Sequence, residues 1–245
     1  MTQPAVPPPG WRLRIHDSLA STNDLLKRLA AAGEAEGLAV LARQQTGGRG
    51  RDGRVWSSPT GNLYFSLLLR PDGPAREAAR WGLVAGLAMV RGLAPFAPDP
   101  SALRLKWPND VLLGEAKLAG VLCESAATAE GGLDWFIMGI GANLAAPPEL
   151  PDRRTAGLGA IPPEQVACSM LAALEQIKNM WRAEGFGAVR AAWMAHGPDM
   201  QAPLTLRDGR AGQYAGLAED GSLLLAIDGR VRAVATGEVA DREAS

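Results

Sequence analysis

Residues 38–69 read LAVLARQQTGGRGRDGRVWSSPTGNLYFSLLL, two apolar stretches on either side of a loop of glycine and arginine. The stretches at 38–42 and 62–69 predict buried strands, the second stopped by Pro71. A loop held between two strands is free to move while its ends stay fixed, the arrangement of a lid. Gln44 and Gln45 open it, Arg49, Arg51 and Arg54 stand among Gly47, Gly48, Gly50 and Gly53, and Trp56 closes it. Glycine lets main-chain N–H groups come close to a ligand, and arginine offers a planar fork of donors suited to carboxylate and phosphate. A lid over an anion that carries a flat group fits this composition. A solvated surface loop fits it too, and so does a Gly-Arg tail that binds RNA. Neither a P-loop nor a dinucleotide fingerprint is present.

Bulk properties narrow the choice. With 245 residues the chain has room for one substantial core and a small second module. Its net charge of −1 and pI near 6.2 provide no basic field for nucleic acid, which weakens the RNA reading. Cys123 and Cys168 lack metal-like spacing and read as reduced, packed thiols. The only histidines, His16 and His196, leave little material for a zinc site or a Ser-His-Asp machine. The proline-rich lead, residues 1–10, has no apolar signal-peptide core and is expected to be disordered. The most apolar segment, 81–90, is too short to span a bilayer, so a soluble cytoplasmic protein is expected.

Along the chain, 11–15 predicts a short strand. A helix follows, with Ser21 or Thr22 as N-cap, Leu25, Leu26 and Leu29 on its apolar face and Gly33 as its stop. Ser21, Thr22 and Asn23 read as capping residues, though groups at a helix start can also grip a polar ligand. Residues 75–94 predict a core helix, 103–106 a strand, 111–113 and 117–124 a hairpin, and 133–140 a buried strand. Helical pattern returns over 163–184 and 186–195. From about residue 202, short strands broken by Asp-Gly pairs at 208–209, 220–221 and 228–229 predict a small barrel.

Three further groups could carry chemistry. Lys106 begins KWPND and Lys117 begins KLAG, on either side of a predicted hairpin that would bring them into one neighbourhood. Asn109 and Asp110 follow a proline in a turn, and Asn143 ends GIGAN, where glycines let the backbone approach something flat; turn chemistry alone also explains them. The inventory is rich in fixed cations, amides and hydroxyls, with no nucleophile, metal cluster or paired acid. It suits a reaction limited by anion repulsion, such as joining a carboxylate to ATP as an acyl-adenylate. Magnesium would shield the departing pyrophosphate, held mainly by the nucleotide.

Over nearly all its length the chain resembles biotin–protein ligases (biotin–[acetyl-CoA-carboxylase] ligases). The resemblance rests on DSLASTND, RQQTGGRGRDGRVWSSPTGNLYFSLLL, LKWPNDVLL with KLAGVLCES, GIGANL and DGSLLL…TGEVA, in that order. It implies a two-step reaction in which biotin and ATP give biotinyl-5′-AMP, and a lysine of a biotin carboxyl carrier domain then takes the biotinyl group. It places Ser21, Thr22, Asn23 and Gln45 on biotin, and Arg49, Gly50 and Arg51 over its carboxylate and the adenylate phosphate. Arg54 would meet phosphate, Trp56 adenine, and Lys106, Asn109 and Asn143 the nucleotide. Lys117 would hold the carboxylate and then the acyl-phosphate oxygen, and Asp110 would orient a lysine or accept the acceptor amine's proton. The implied fold is α+β, a class II aminoacyl-tRNA synthetase-like catalytic domain with a mixed sheet over 11–198 and an SH3-like barrel over 199–245.

Two departures qualify the match. About ten residues precede Trp11, so the winged helix some relatives carry is not expected, nor is DNA regulation. Asp52 stands where a basic or neutral residue is common and is a candidate local partner for Arg51 or Arg54. A lipoate–protein ligase, which shares the fold and the adenylate strategy, is the nearest rival. A nucleic-acid-binding module and a protein that holds biotin without ligating it are more distant ones. Monomer and homodimer both remain open.

Overall fold

The computed structural model describes residues 5–151 and 153–240. At its centre lies β3 (Leu63–Leu69), buried along its whole length because both its faces are covered. Side chains alternate across a strand, so Leu63, Phe65, Leu67 and Leu69 enter the main hydrophobic core while Leu68 joins a second cluster with Leu26, Leu38 and Val40. Ser66 shares the Leu68 face, a fully buried hydroxyl among the leucines and aromatics of the strand.

With β1 (Arg12–His16), β2 (Leu38–Ala42), β4 (Leu103–Lys106), β5 (Asp110–Leu113), β6 (Ala116–Ala127) and β7 (Leu133–Ala142), this strand forms a seven-stranded sheet ordered β1-β2-β3-β7-β6-β5-β4. The β1–β2 pair is parallel and the other pairs are antiparallel, the mixed sheet expected of the fold. β6 and β7 run beyond the predicted 117–124 and 133–140 because they extend each other, from Ala119 opposite Ala142 to Ala127 opposite Leu133. α1 (Thr22–Ala31) covers one face, and Ser21 caps it by accepting from the Asp24 N–H at 3.3 Å. α2 (Ala78–Leu93), α3 (Pro163–Glu184) and α4 (Phe186–Met194) cover the other. Residues 75–77 form a 3-10 turn ahead of α2, where one helix over 75–94 was expected.

β8 (Pro203–Thr205), β9 (Ala211–Leu217), β10 (Leu223–Ile227) and β11 (Arg230–Val234) make a second, antiparallel sheet. Its hairpins turn on the predicted Asp-Gly pairs. Asp228 (φ 48°) and Gly229 (φ 73°) both adopt the left-handed conformation that the tightest hairpin turn requires. Val239 bridges back to Leu206, and the Ala240 N–H donates to Thr205 O at 2.8 Å, curling the sheet toward an SH3-like barrel. Trp107, on the turn between β4 and β5, joins the two sheets: its indole N–H donates to Gly221 O at 3.3 Å, and its carbonyl accepts from the Val239 N–H. Tyr214, Leu217, Leu223 and Leu225 belong to the same core cluster as Phe65.

Of the lead expected to be disordered, positions 1–4 lie outside the described residues, and the Trp11 N–H donates to Pro8 O at 3.1 Å. Positions 241–245 of the expected C-terminal unit lie outside them too. Among the described residues no helix is long and apolar enough to cross a membrane.

Phe65 is inaccessible and sits mid-sheet. Phe65→Ala is expected to cost about 3–5 kcal/mol, lowering the urea midpoint with little change in the dependence on denaturant.

Candidate active site

The α1 face of the sheet is unfilled beyond the helix N-terminus, because β6 and β7 place Gly120, Gly139 and Gly141 there. A Cβ at Gly139 would lie 2.0 Å from the Asn23 amide, and one at Gly141 2.5 Å from the Trp56 ring. Backbone without side chains thus makes the floor of a cavity of about 460 Å³. The flat groups that the GIGAN glycines admit are, in this state, the protein's own.

One end of the cavity is neutral and polar. Ser21, Thr22 and Asn23 are all buried. Gln45 Oε1 accepts from the Thr22 N–H at 2.8 Å and lies 3.1 Å from Thr22 Oγ1. Ser66 Oγ sits 2.6 Å from both Thr22 Oγ1 and Asn23 Oδ1, and Asn23 Nδ2 donates to Glu124 at 2.8 Å. Buried polar groups need such partners, so this network holds the donors and acceptors of the pocket in fixed directions.

The other end is cationic. Antiparallel pairing of β5 with β6 sets Asp110 opposite Gly120 and Leu112 opposite Lys117, and the Lys117 ammonium reaches diagonally to within 2.7 Å of the Asp110 carboxylate, both side chains largely buried. Lys117 Nζ also stands 5.4 Å from the centroid of the Trp56 ring. Asn109 donates to Val121 O at 2.7 Å and Asn143 to Lys117 O at 3.2 Å, fixing both amides at the rim. The arginine loop folds across the mouth as a tight turn: Gly50 N–H donates to Arg54 O at 2.7 Å and Trp56 N–H to Gly48 O at 3.0 Å. Arg49 pairs with Asp24 at 2.5 Å, and that bond holds the Asp24 carboxyl below its ordinary pKa. Arg51 donates to Gly237 O at 3.0 Å, and Arg54 makes a two-pronged pair with Glu238 at 2.7 and 3.2 Å. The charge of Asp52 acts on Arg54, but Asp52 occupies the left-handed turn position (φ 58°), and the hydrogen-bond partners of Arg51 and Arg54 come from the segment after β11, Gly237 and Glu238.

Every site residue singled out by sequence lines this cavity except Lys106, which is buried within electrostatic reach of Glu238. Sequence reasoning missed Ser66, Glu124 and Arg153. Ser66 left a signal, a small polar residue among the leucines and aromatics of a buried strand. Glu124 stood in KLAGVLCES without a visible role, and Arg153 reaches the rim only through long-range pairing. Burial pushes the Cys123 thiol up to about 12, which disfavours the thiolate form.

Comparison with known proteins gives this site its setting. The signature of the Biotin/lipoate A/B protein ligase family matches residues 16–143. A biotin–[acetyl-CoA-carboxylase] ligase of Paracoccus denitrificans is 37% identical over 202 residues, 76% of this chain and 82% of that one. Its counterpart in Mycobacterium tuberculosis is 32% identical over 94% of this chain and 89% of its own. The biotin protein ligase of Aquifex aeolicus, solved in complex with biotin and ATP, superposes with a TM-score of 0.76 at 28% identity, covering 94% of this chain and 97% of that one. The chain belongs to the biotin/lipoate protein ligase family.

Two of the three loop arginines rest on protein carboxylates, Arg49 on Asp24 and Arg54 on Glu238, and Arg51 on a backbone carbonyl. For Glu238, burial pushes the carboxyl up, but the Arg54 bond and the charges of Arg207 and Lys106 outweigh it and hold the pKa below its ordinary value. A depressed carboxyl contributes stability that is full above the unfolded value and lost as pH falls through the folded one. Backbone hydrogen exchange over residues 48–56 should therefore be unchanged from pH 7 to 5 after correction for intrinsic rates. Protection should fall only below the ordinary glutamate range of about 4.3. Glu238→Gln should show the lowered protection already at neutral pH; equal protection in both proteins would remove Glu238 as the anchor.

Proposed function

We propose that the protein attaches biotin to a lysine of a carboxylase's biotin carrier domain through biotinyl-5′-AMP. The observation that carries this reading is the division of one cavity into a buried amide–hydroxyl end and an end that holds, among the described residues, five cations, Arg49, Arg51, Arg54, Lys117 and Arg153, against one carboxylate, Asp110. Ser21, Thr22, Asn23 and Gln45 suit a ureido ring, which offers two N–H donors and a carbonyl acceptor. Lipoate has no such groups, and buried polar partners left unpaired by it would disfavour it.

In the first step a carboxylate oxygen attacks the α-phosphorus of ATP. The bond from that phosphorus to the bridging oxygen breaks, and pyrophosphate leaves with the electron pair. Lys117 holds the attacking carboxylate and then the acyl-phosphate oxygen, while Asp110, 2.7 Å away, fixes the ammonium's position. Arg49, Gly50 and Arg51 close over the mixed anhydride, Arg54 meets phosphate, and Trp56 covers the adenine. Lys106, Asn109 and Asn143 serve the nucleotide. In the second step the acceptor amine attacks the acyl carbon, AMP leaves, and Asp110 is placed to receive the amine's proton. A cavity lined by cations, amides and one carboxylate suits a magnesium ion that stays on the nucleotide's phosphates, where it would screen their charge. In this reading residues 11–198 form the catalytic unit, and the unit from 199 onward lends Gly237 and Glu238 to the lid.

Pyrophosphate release is to be measured with biotin, with lipoate and with neither, followed by label transfer to a carrier domain. Biotin-dependent release and transfer are expected, and release with lipoate alone would overturn the pocket assignment. Lys117→Gln should lower biotin-dependent release by on the order of 100- to 1,000-fold, the effect of losing one preorganised charge at the reacting centre.

A further inference from the structure

The segment after β7 crosses the cavity mouth as a strap paired to β6. Thr155 bridges Lys117 in parallel register, Lys117 N–H donates to Arg154 O at 2.9 Å, and Ala156 N–H donates to Lys117 O at 2.9 Å. A turn precedes this pairing: Leu150 bridges Arg153, and Thr155 Oγ1 donates to Pro148 O at 2.6 Å. Pro147, Pro148 and Pro151 restrict the backbone further. Extended side chains alternate, so Arg153 and Thr155 line the cavity while the exposed Arg154 does not. Two positions from the bridge, Arg153 stands roughly 7 Å along the extended chain from the level of Lys117. Arg54 lines the same cavity, near enough for the charge of Arg153 to act on it. Two guanidiniums lining one cavity are the arrangement that a polyanion bound between them would suit.

We infer that Arg153 is a further binding residue for the first half-reaction, clamping with Arg54 the terminal phosphates of the nucleotide that depart as pyrophosphate. This rests on the proposed function, and it separates the reaction's two halves. Pyrophosphate is present in the first, whereas transfer from preformed biotinyl-5′-AMP to the carrier involves none.

Arg153→Ala, Arg153→Lys and Arg154→Ala are therefore to be compared in both half-reactions on the full chain. Arg153→Ala should raise the KM for ATP in biotin-dependent pyrophosphate release about tenfold, leave the KM for biotin unchanged, and transfer preformed adenylate at the normal rate. Arg153→Lys should recover part of the loss, and Arg154→Ala should match the unmodified protein. An unchanged KM for ATP, an equal loss in both halves, or the same loss with Arg154→Ala would each overturn the assignment. Failure of the unmodified protein to release pyrophosphate with biotin would instead refute the proposed function.

Discussion

Lys117 is the point at which the site's elements meet. Its carbonyl and N–H pair with the strap, its ammonium lies 2.7 Å from Asp110, and the Trp56 ring rests within cation–π range. A lysine charge in a largely buried position is costly unless paired, and Asp110 supplies the pair. The same pairing aims the ammonium, because the carboxylate is fixed by the β5–β6 register. In the proposed reaction, the charge that would gather two anions is thus held in place before either arrives. Such preorganisation means the protein's dipoles and charges need not rearrange as the reaction's own charges develop.

The lid obeys the same electrostatics at longer range. Three arginines within six residues would repel one another and keep the loop extended; here Asp24, Gly237 O and Glu238 each take one. In the proposed function these acceptors stand in for the anions the loop would bind. Substrate phosphate would compete with them, so closing the lid would exchange one set of charge-assisted bonds for another. The net driving force would be correspondingly small, which suits a lid that has to reopen after each turnover. Because Glu238 lies beyond β11, the C-terminal sheet takes part in the lid's resting state. Trp107 and the shared core make the join between the two sheets firm enough for that anchor to have a defined position.

Much of this was legible in the sequence because its causes are local. The alternation in NLYFSLLL, the cap at Ser21, the Asp-Gly turns and the glycines of GIGAN each declare a backbone geometry within a few residues. The apolar stretches at 111–113 and 117–124 announced the β5–β6 hairpin, which was expected to bring Lys106 and Lys117 together; its product was a pair between Lys117 and Asp110, with Lys106 outside the cavity lining. What stayed hidden depends on contacts distant in sequence. Nothing near Arg54 points to Glu238, 184 residues later, and the nearby Asp52 was the natural candidate until its left-handed turn conformation took it away. Arg153 and Arg154 are indistinguishable as neighbours in a proline-rich loop. Only the register of the strap against β6 separates a residue facing the cavity from one facing solvent.

The neutral end of the cavity shows why a buried polar network is compatible with this core. Ser66 sits in a strand where every neighbour is apolar, and an unpaired hydroxyl there would cost about 1–3 kcal/mol. Thr22 and Asn23 remove that cost from a helix N-terminus, where polar side chains are already favoured as caps. One placement therefore satisfies α1, satisfies β3 and leaves Gln45 and Asn23 oriented over the glycine floor. In the proposed function, apolar residues at these three positions would leave nothing to recognise a urea. The polar cluster would then supply direction, which a pocket that discriminates between two acyl substrates of similar length requires.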